Sequence, residues 1–195
     1  MNINDLIKEA HENAVAHGWW EEERPFAELI ALTHSELSEA LEEYRDGREL
    51  GEIYYSCTAG GRGNENCLFP GVRPCPEKCK NLKPEGIPIE LADVIIRIAD
   101  YFGRYKIQVD ELKSRATHQT VRDKIGTLCE LIAHGHWLLG MAYVSKEEEL
   151  RYSLMALLVD HIRDFCQCNG IDIEKAINIK MRYNKTRPYK HNKKI

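Results

Sequence analysis

Apolar residues recur at helical spacing in segment after segment of this chain. Ile3, Leu6, Ile7, Ala10, Ala14 and Val15 predict a helix over 3–17, with Asn2 or Asn4 as its cap and Gly18 as its stop. Phe26, Leu29, Ile30, Leu37, Ala40, Leu41 and Tyr44 predict a longer helix, entered through Pro25 and ending at Arg45, where Asp46-Gly47 closes it. Val109, Asp110, Glu111 and Leu112 begin a short helical piece. Val121, Ile125, Leu128, Leu131, Ile132 and Leu138 mark a helix over 120–141, and a further helix runs from Lys146 to about Cys168. No stretch reads as a strand, so the pattern predicts an all-α protein.

The most informative segment lies between these, from Gly86 to Asp100 and beyond. Glu90, Asp93, Arg97, Asp100 and Arg104 follow one another at steps of three or four, so on a helix they form one narrow line. Apolar residues flank that line on both sides, Ile89, Ala92, Ile96 and Ala99 on one and Leu91, Val94, Ile95, Ile98 and Phe102 on the other. A solvated face on a surface helix is broad. A thin one predicts a helix set among others, with its carboxylates turned into a shared cleft. Buried carboxylates need partners, either a metal ion or fixed cations; Arg97 and Asp100 are candidates to pair with each other.

A second acidic pair supplies the partner. Glu36 and Glu39 lie three apart on the 26–45 helix, beside its apolar stripe, and Glu43 continues their line. Two helices, each with two carboxylates one turn apart, can face four oxygen donors into one cleft, and hard cations such as Mg²⁺ and Mn²⁺ prefer such oxygen sites. Taken alone, a Glu-x-x-Glu pair is ordinary solvated surface; the buried character of the second helix is what gives the pairing weight.

Residues 48–87 change character. They hold Gly60-Gly61-Arg62-Gly63, Pro70, Pro74 and Pro76, and Cys57, Cys67, Cys75 and Cys79. A long structureless loop inside a compact domain is uncommon, and thiolates on Zn²⁺ would tie this one together. Their spacings are looser than paired Cys-x-x-Cys knuckles, and free thiols are the alternative. A faint internal echo also exists: residues 98–112 align with 162–176 at a constant offset of 64, which places Glu90 and Asp93 on Leu154 and Leu157. Either the chain contains a duplicated helix pair whose second copy has lost its acids, or two amphipathic helices resemble each other by chance.

Composition narrows the picture little. The 195 residues are 43% hydrophobic and 30% charged, as expected of one globular domain spanning 1–195. A net charge of -4 gives no reason to expect a nucleic acid polymer as partner, although the tail from Lys185 to Lys194 is locally basic. No apolar run reaches membrane-spanning length and the first residues lack a secretory pattern, so a cytoplasmic protein without membrane contact is expected. In a reducing compartment the seven cysteines are expected as thiols or metal ligands. His134, His136 and Cys129 read as ordinary core or surface residues, and Cys166 and Cys168 as buried small residues rather than a redox pair.

Three phrases resemble a known family: His34-Ser35-Glu36-Leu37-Ser38-Glu39-Ala40-Leu41-Glu42-Glu43-Tyr44-Arg45, Gly86-Ile87-Pro88-Ile89-Glu90-Leu91-Ala92-Asp93, and the stretch from Lys180 through Asn184 to His191. They are similar to the all-α nucleoside triphosphate pyrophosphohydrolases of the MazG-like superfamily, related to the dimeric dUTPases and dCTP pyrophosphatases. That family carries Glu-x-x-Glu on one helix and Glu-x-x-Asp on the next. It usually separates the pairs by a short loop, whereas fifty residues lie between Glu39 and Glu90 here, so 48–87 is the expected insertion.

The resemblance implies a four-helix bundle that binds Mg²⁺ or Mn²⁺ through Glu36, Glu39, Glu90 and Asp93 and hydrolyses a nucleoside triphosphate to a monophosphate and pyrophosphate. Glu39 is the expected general base. Lys180, Arg187, Lys190 and Lys193 are candidates to neutralise phosphates, Asn184 to donate to phosphate or sugar, and Trp19 or Trp20 to stack on the base. The simple members build the bundle from two chains, so a homo-oligomer is expected; if residues 120–168 are a degenerate second helix pair, one chain supplies that bundle alone. Two other classes stay open: a non-enzymatic helical module that binds nucleotides or a protein, and a zinc-organised interaction protein.

Overall fold

The computed structural model describes residues 2–57, 82–107, 109 and 125–192. Six α-helices dominate them: α1 (Ile3–Ala16), α2 (Phe26–Arg45), α3 (Ile87–Tyr105), α4 (Leu128–Val144), α5 (Glu148–Cys168) and α6 (Ile173–Lys185). Two short strands, β1 (Tyr54–Cys57) and β2 (Leu82–Glu85), precede α3, and a 3-10 turn at Tyr189–Asn192 follows α6. No helix among the described residues is long and apolar enough to cross a membrane.

The first two helices run as their spacing predicts. The Asn2 side chain accepts the Asn4 N–H at 3.0 Å and caps α1. The third is the centre of the fold: α3 packs against α1, α2, α5 and α6, while α4 pairs with α5 and leans on α2. α1 and α3 approach closely at Gly103, where an added Cβ would lie 2.4 Å from His11 Cβ and 2.9 Å from the Ile7 carbonyl oxygen. That close approach brings α1 in as one wall of the cleft described below.

Three expectations need correction. α4 begins at Leu128 rather than near 120, because Thr127 forms a capping box: its hydroxyl accepts the Glu130 N–H at 3.2 Å and the Glu130 carboxylate accepts the Thr127 N–H at 2.9 Å. Ile125 therefore precedes the helix, and 120–124 lie outside the described residues, as does most of the short helical piece expected after Val109. A second correction is that strands exist. β1 and β2 pair antiparallel, Tyr54 opposite Glu85 and Cys57 opposite Leu82. Four residues are too few to display a period of two, and Pro84 argues against a strand except at an open edge, which a two-stranded ribbon provides. The expected insertion is thus clamped at its base by a hairpin; Cys57 lies on β1, and Cys67, Cys75 and Cys79 fall outside the described residues. Finally, Cys166 is buried, its thiol pushed up to about 12 by burial, but Cys168 is exposed.

The 64-residue echo extends to the helix ends. α3 closes with Ile107 N–H on Phe102 O and α5 with Ile171 N–H on Cys166 O, each through a residue of positive φ, Lys106 and Gly170. The same closure ends α1 at Gly18 and α2 at Gly47. It is a shared stop and no mark of duplication.

Candidate active site

The cleft opens between α1, α2, α3 and α6 and has a volume of about 150 Å³. Asn13 and Ala14 of α1, Glu36 and Glu39 of α2, Asp93 and Arg97 of α3, and Asn184 of α6 line it, joined by Trp19, Arg24 and Arg187 from the connecting segments. The thin acidic stripe of α3 therefore faces a shared cavity, as its spacing predicts.

How α3 enters decides where its acids go. Gly86 caps the helix with φ 112, and a Cβ there would sit 2.3 Å from the Glu52 carbonyl oxygen. Pro88 follows in the first turn, where a missing N–H costs nothing. Glu90 then falls one turn inside the helix and is 2% exposed. Among the described residues its carboxylate accepts no hydrogen bond and joins no ion pair. Burial pushes it up to about 8, aided by the neighbouring charges of Asp93, Glu36 and Glu39 and opposed by Lys180.

The other acids have partners. Arg97 donates from Nε and Nη2 to Glu36 Oε1, at 2.7 Å and 2.5 Å. Burial nevertheless holds Glu36 above the usual carboxylate range, against the pull of Arg97. Lys180, itself 3% exposed, places Nζ 2.6 Å from Asp93 Oδ2. Burial lowers an ammonium, but Asp93 and Glu90 outweigh it and keep Lys180 raised. Glu39 is exposed at the cleft rim.

Oxygens of Glu36, Glu39 and Glu90 all lie within 4.8 Å of one another. An octahedral ion about 2.1 Å from each ligand separates its oxygens by roughly 3 to 4.2 Å, so these three fit a hard divalent cation with small side-chain adjustments. The unpartnered Glu90 carboxylate is the strongest sign that something positive belongs there. Asp93 is brought to the same cleft but is held by Lys180 rather than gathered with the other three.

The remaining sequence-predicted residues separate. Asn184 is buried, its Oδ1 without a partner among the described residues, and Arg187 lies beside it, held below its usual range by burial. Trp19 lines the cleft. Trp20 does not: its indole N–H donates to Asp100 Oδ1 at 2.7 Å, and the ring lies near Arg24 and Arg104. Asp100 also meets His11 Nδ1 at 2.9 Å, so the expected Arg97–Asp100 pair is replaced by two longer-range contacts. Lys190 sits on the 3-10 turn near Glu21, away from the cleft lining, and Lys193 is outside the described residues. His136 is no isolated histidine, since its ring stacks on His34 with Nδ1 atoms 2.6 Å apart.

Sequence reasoning did not assign Asn13 and Arg24 to the site, nor Arg97 to Glu36. Arg97 carried a signal, its place on the acidic line; Asn13 had only its position between Ala10 and Ala14 on the buried edge of α1. Comparison of the chain with protein-family models, curated proteins and solved structures finds no match.

Proposed function

We propose that the cleft hydrolyses a nucleoside triphosphate to a nucleoside monophosphate and pyrophosphate with Mg²⁺ or Mn²⁺, in a four-helix bundle of the MazG-like type. The observation that carries this reading is the convergence of Glu36, Glu39 and Glu90 beside a cavity that Glu36, Glu39, Asp93, Arg97 and Arg187 line, with Lys180 bound to Asp93. A divalent cation on those carboxylates supplies charge neutralisation and acidifies a water near the α-phosphate. Glu39, the exposed member, takes a proton from that water as general base. The water oxygen bonds the α-phosphorus, and the bond from that phosphorus to the bridging oxygen breaks. Pyrophosphate leaves with the electron pair. Arg187 and Lys180 balance the phosphate charge, the latter held in place by Asp93. Arg97 holds Glu36 in place and opposes the effect of its burial, and Trp19 offers a flat face for the base.

The test is pyrophosphate release from a panel of canonical and modified nucleoside triphosphates with Mg²⁺, run beside Glu39→Gln and Glu90→Gln. Turnover by the wild type that both folded variants lose is the expected result. Sustained hydrolysis by the variants sinks the assignment of these carboxylates. Nucleotide binding without any turnover favours a non-enzymatic binding module.

A further inference from the structure

Glu90 belongs to two groups of carboxylates. Besides Glu36 and Glu39, its oxygens lie within 4.8 Å of those of Glu43 and Glu85, which also lie within that distance of each other. Glu43 is one turn beyond Glu39 on α2. Glu85 comes from β2, at the base of the inserted segment, directly before the Gly86 cap of α3.

The hairpin engages both of these acids. Tyr54 donates its hydroxyl to Glu43 at 3.0 Å and 3.1 Å from the two oxygens, and Arg48 lies 3.9 Å above the Tyr54 ring. Ser56 Oγ donates to Glu85 Oε1 at 2.8 Å and Lys83 Nζ to Oε2 at 2.7 Å. Donors on a carboxylate fix its orientation and leave further lone pairs free, which is the usual role of groups outside a metal's own ligands. Lys83 balances Glu85. Arg48 Nε lies 3.9 Å from Glu43 Oε2, whereas Glu90 is the one side chain of the three that is almost wholly buried and that has no donor and no ion pair among the described residues. An unpaired buried carboxylate is costly, and one cation on the Glu36 side satisfies only one face of it.

We propose that Glu43, Glu85 and Glu90 hold a second divalent cation, with Glu90 bridging it to the cation on Glu36 and Glu39. This rests on the metal centre of the proposed function and extends it: β2 supplies a ligand, so the described base of the inserted segment belongs to the site. Two divalent ions match the roughly four negative charges of a triphosphate.

Mn²⁺ binding to the full chain, read by titration and electron paramagnetic resonance without nucleotide, tests this apart from activity. The wild type should bind two ions per chain with a broadened, coupled spectrum. Glu85→Gln and Glu43→Gln, on different elements, should each bind one ion and give a sharp spectrum, while Glu36→Gln should lose the other ion. Tyr54→Phe keeps all the ligands and should weaken the second ion by about 10- to 100-fold. A single ion that Glu85→Gln leaves in place overturns the proposal and spares the Glu36 centre; so does loss in Glu85→Gln without loss in Glu43→Gln. No ion in any form, with no pyrophosphate release, sinks both sites.

Discussion

The half of the molecule built from α1, α2, α3 and α6 and the half built from α4 and α5 solve different problems with the same kind of helix. In the first, Glu36, Glu90, Lys180 and Asn184 are buried on helix faces that pack together. In the second, the buried faces are apolar: Leu131, Leu138 and Leu139 of α4 meet Met155, Leu158 and Ile162 of α5. At the offset of 64, the site acids Glu90 and Asp93 correspond to Leu154 and Leu157, so the contrast appears even between the two segments most alike in sequence. Apolar faces need only shape to pack, whereas each buried charge must be matched by a particular partner atom. The first half therefore concentrates the buried charges, and the second the apolar packing.

Substitutions can break that division. Glu90→Gln should have the largest effect, lowering pyrophosphate release by at least about 100-fold, while the metal-free melting midpoint stays level or rises because a burial cost disappears. A large fall in stability with activity retained would reverse the assignment of the halves. Lys180→Met strands Asp93 and should cost about 3–5 kcal/mol in urea unfolding; adding Asp93→Leu should recover much of it, and no recovery would mean the pair is not the source of the loss. Leu158→Ala, on the apolar side, should cost about 2–5 kcal/mol and leave kcat unchanged at a temperature where the protein is folded.

The acid half also predicts a pH dependence that centres on Glu90. Glu90 is raised from 4.5 to about 8 in the folded chain, so the folded state holds that proton more tightly than the unfolded state. In chelator-treated protein the Glu90 contribution, read as the difference in stability between wild type and Glu90→Gln, should be most favourable near and below pH 4.5, decline as pH rises towards 8, and level off above it. Added Mg²⁺ should oppose this decline. The smallest effect expected is that of Thr127→Ala, which removes the α4 cap for about 1 kcal/mol, measured by urea midpoint with no change in activity.

Legibility followed the same division between local and distant causes. The helices over 3–17, 26–45 and from 146 onward were readable because apolar period and end signals are local. α6 was not assigned from the pattern, since Lys180 and Asn184 occupy its buried face and hide the period that a solvated Lys and Asn would have left clear. The hairpin was hidden by its length and by Pro84. At the site, the sequence marks Glu36, Glu39, Glu90 and Asp93 as a set; the structure brings oxygens of the first three within 4.8 Å of one another and sets Asp93 on Lys180. That Asp93 belongs to Lys180, Glu36 to Arg97, and Trp20 to Asp100 had no local signal.

The sequence by itself determined the helical character of the chain and which face of each helix carries its acids, because a period of 3.6 residues places side chains without reference to anything distant. Only the tertiary structure decided which charged atoms meet. Arg97 reaches Glu36 across 61 residues, and Glu85 is delivered to Glu90 by a hairpin whose paired strands lie on opposite sides of residues 58–81. Those meetings depend on how helices pack and on the cost of burying each charge, and a one-dimensional pattern records neither.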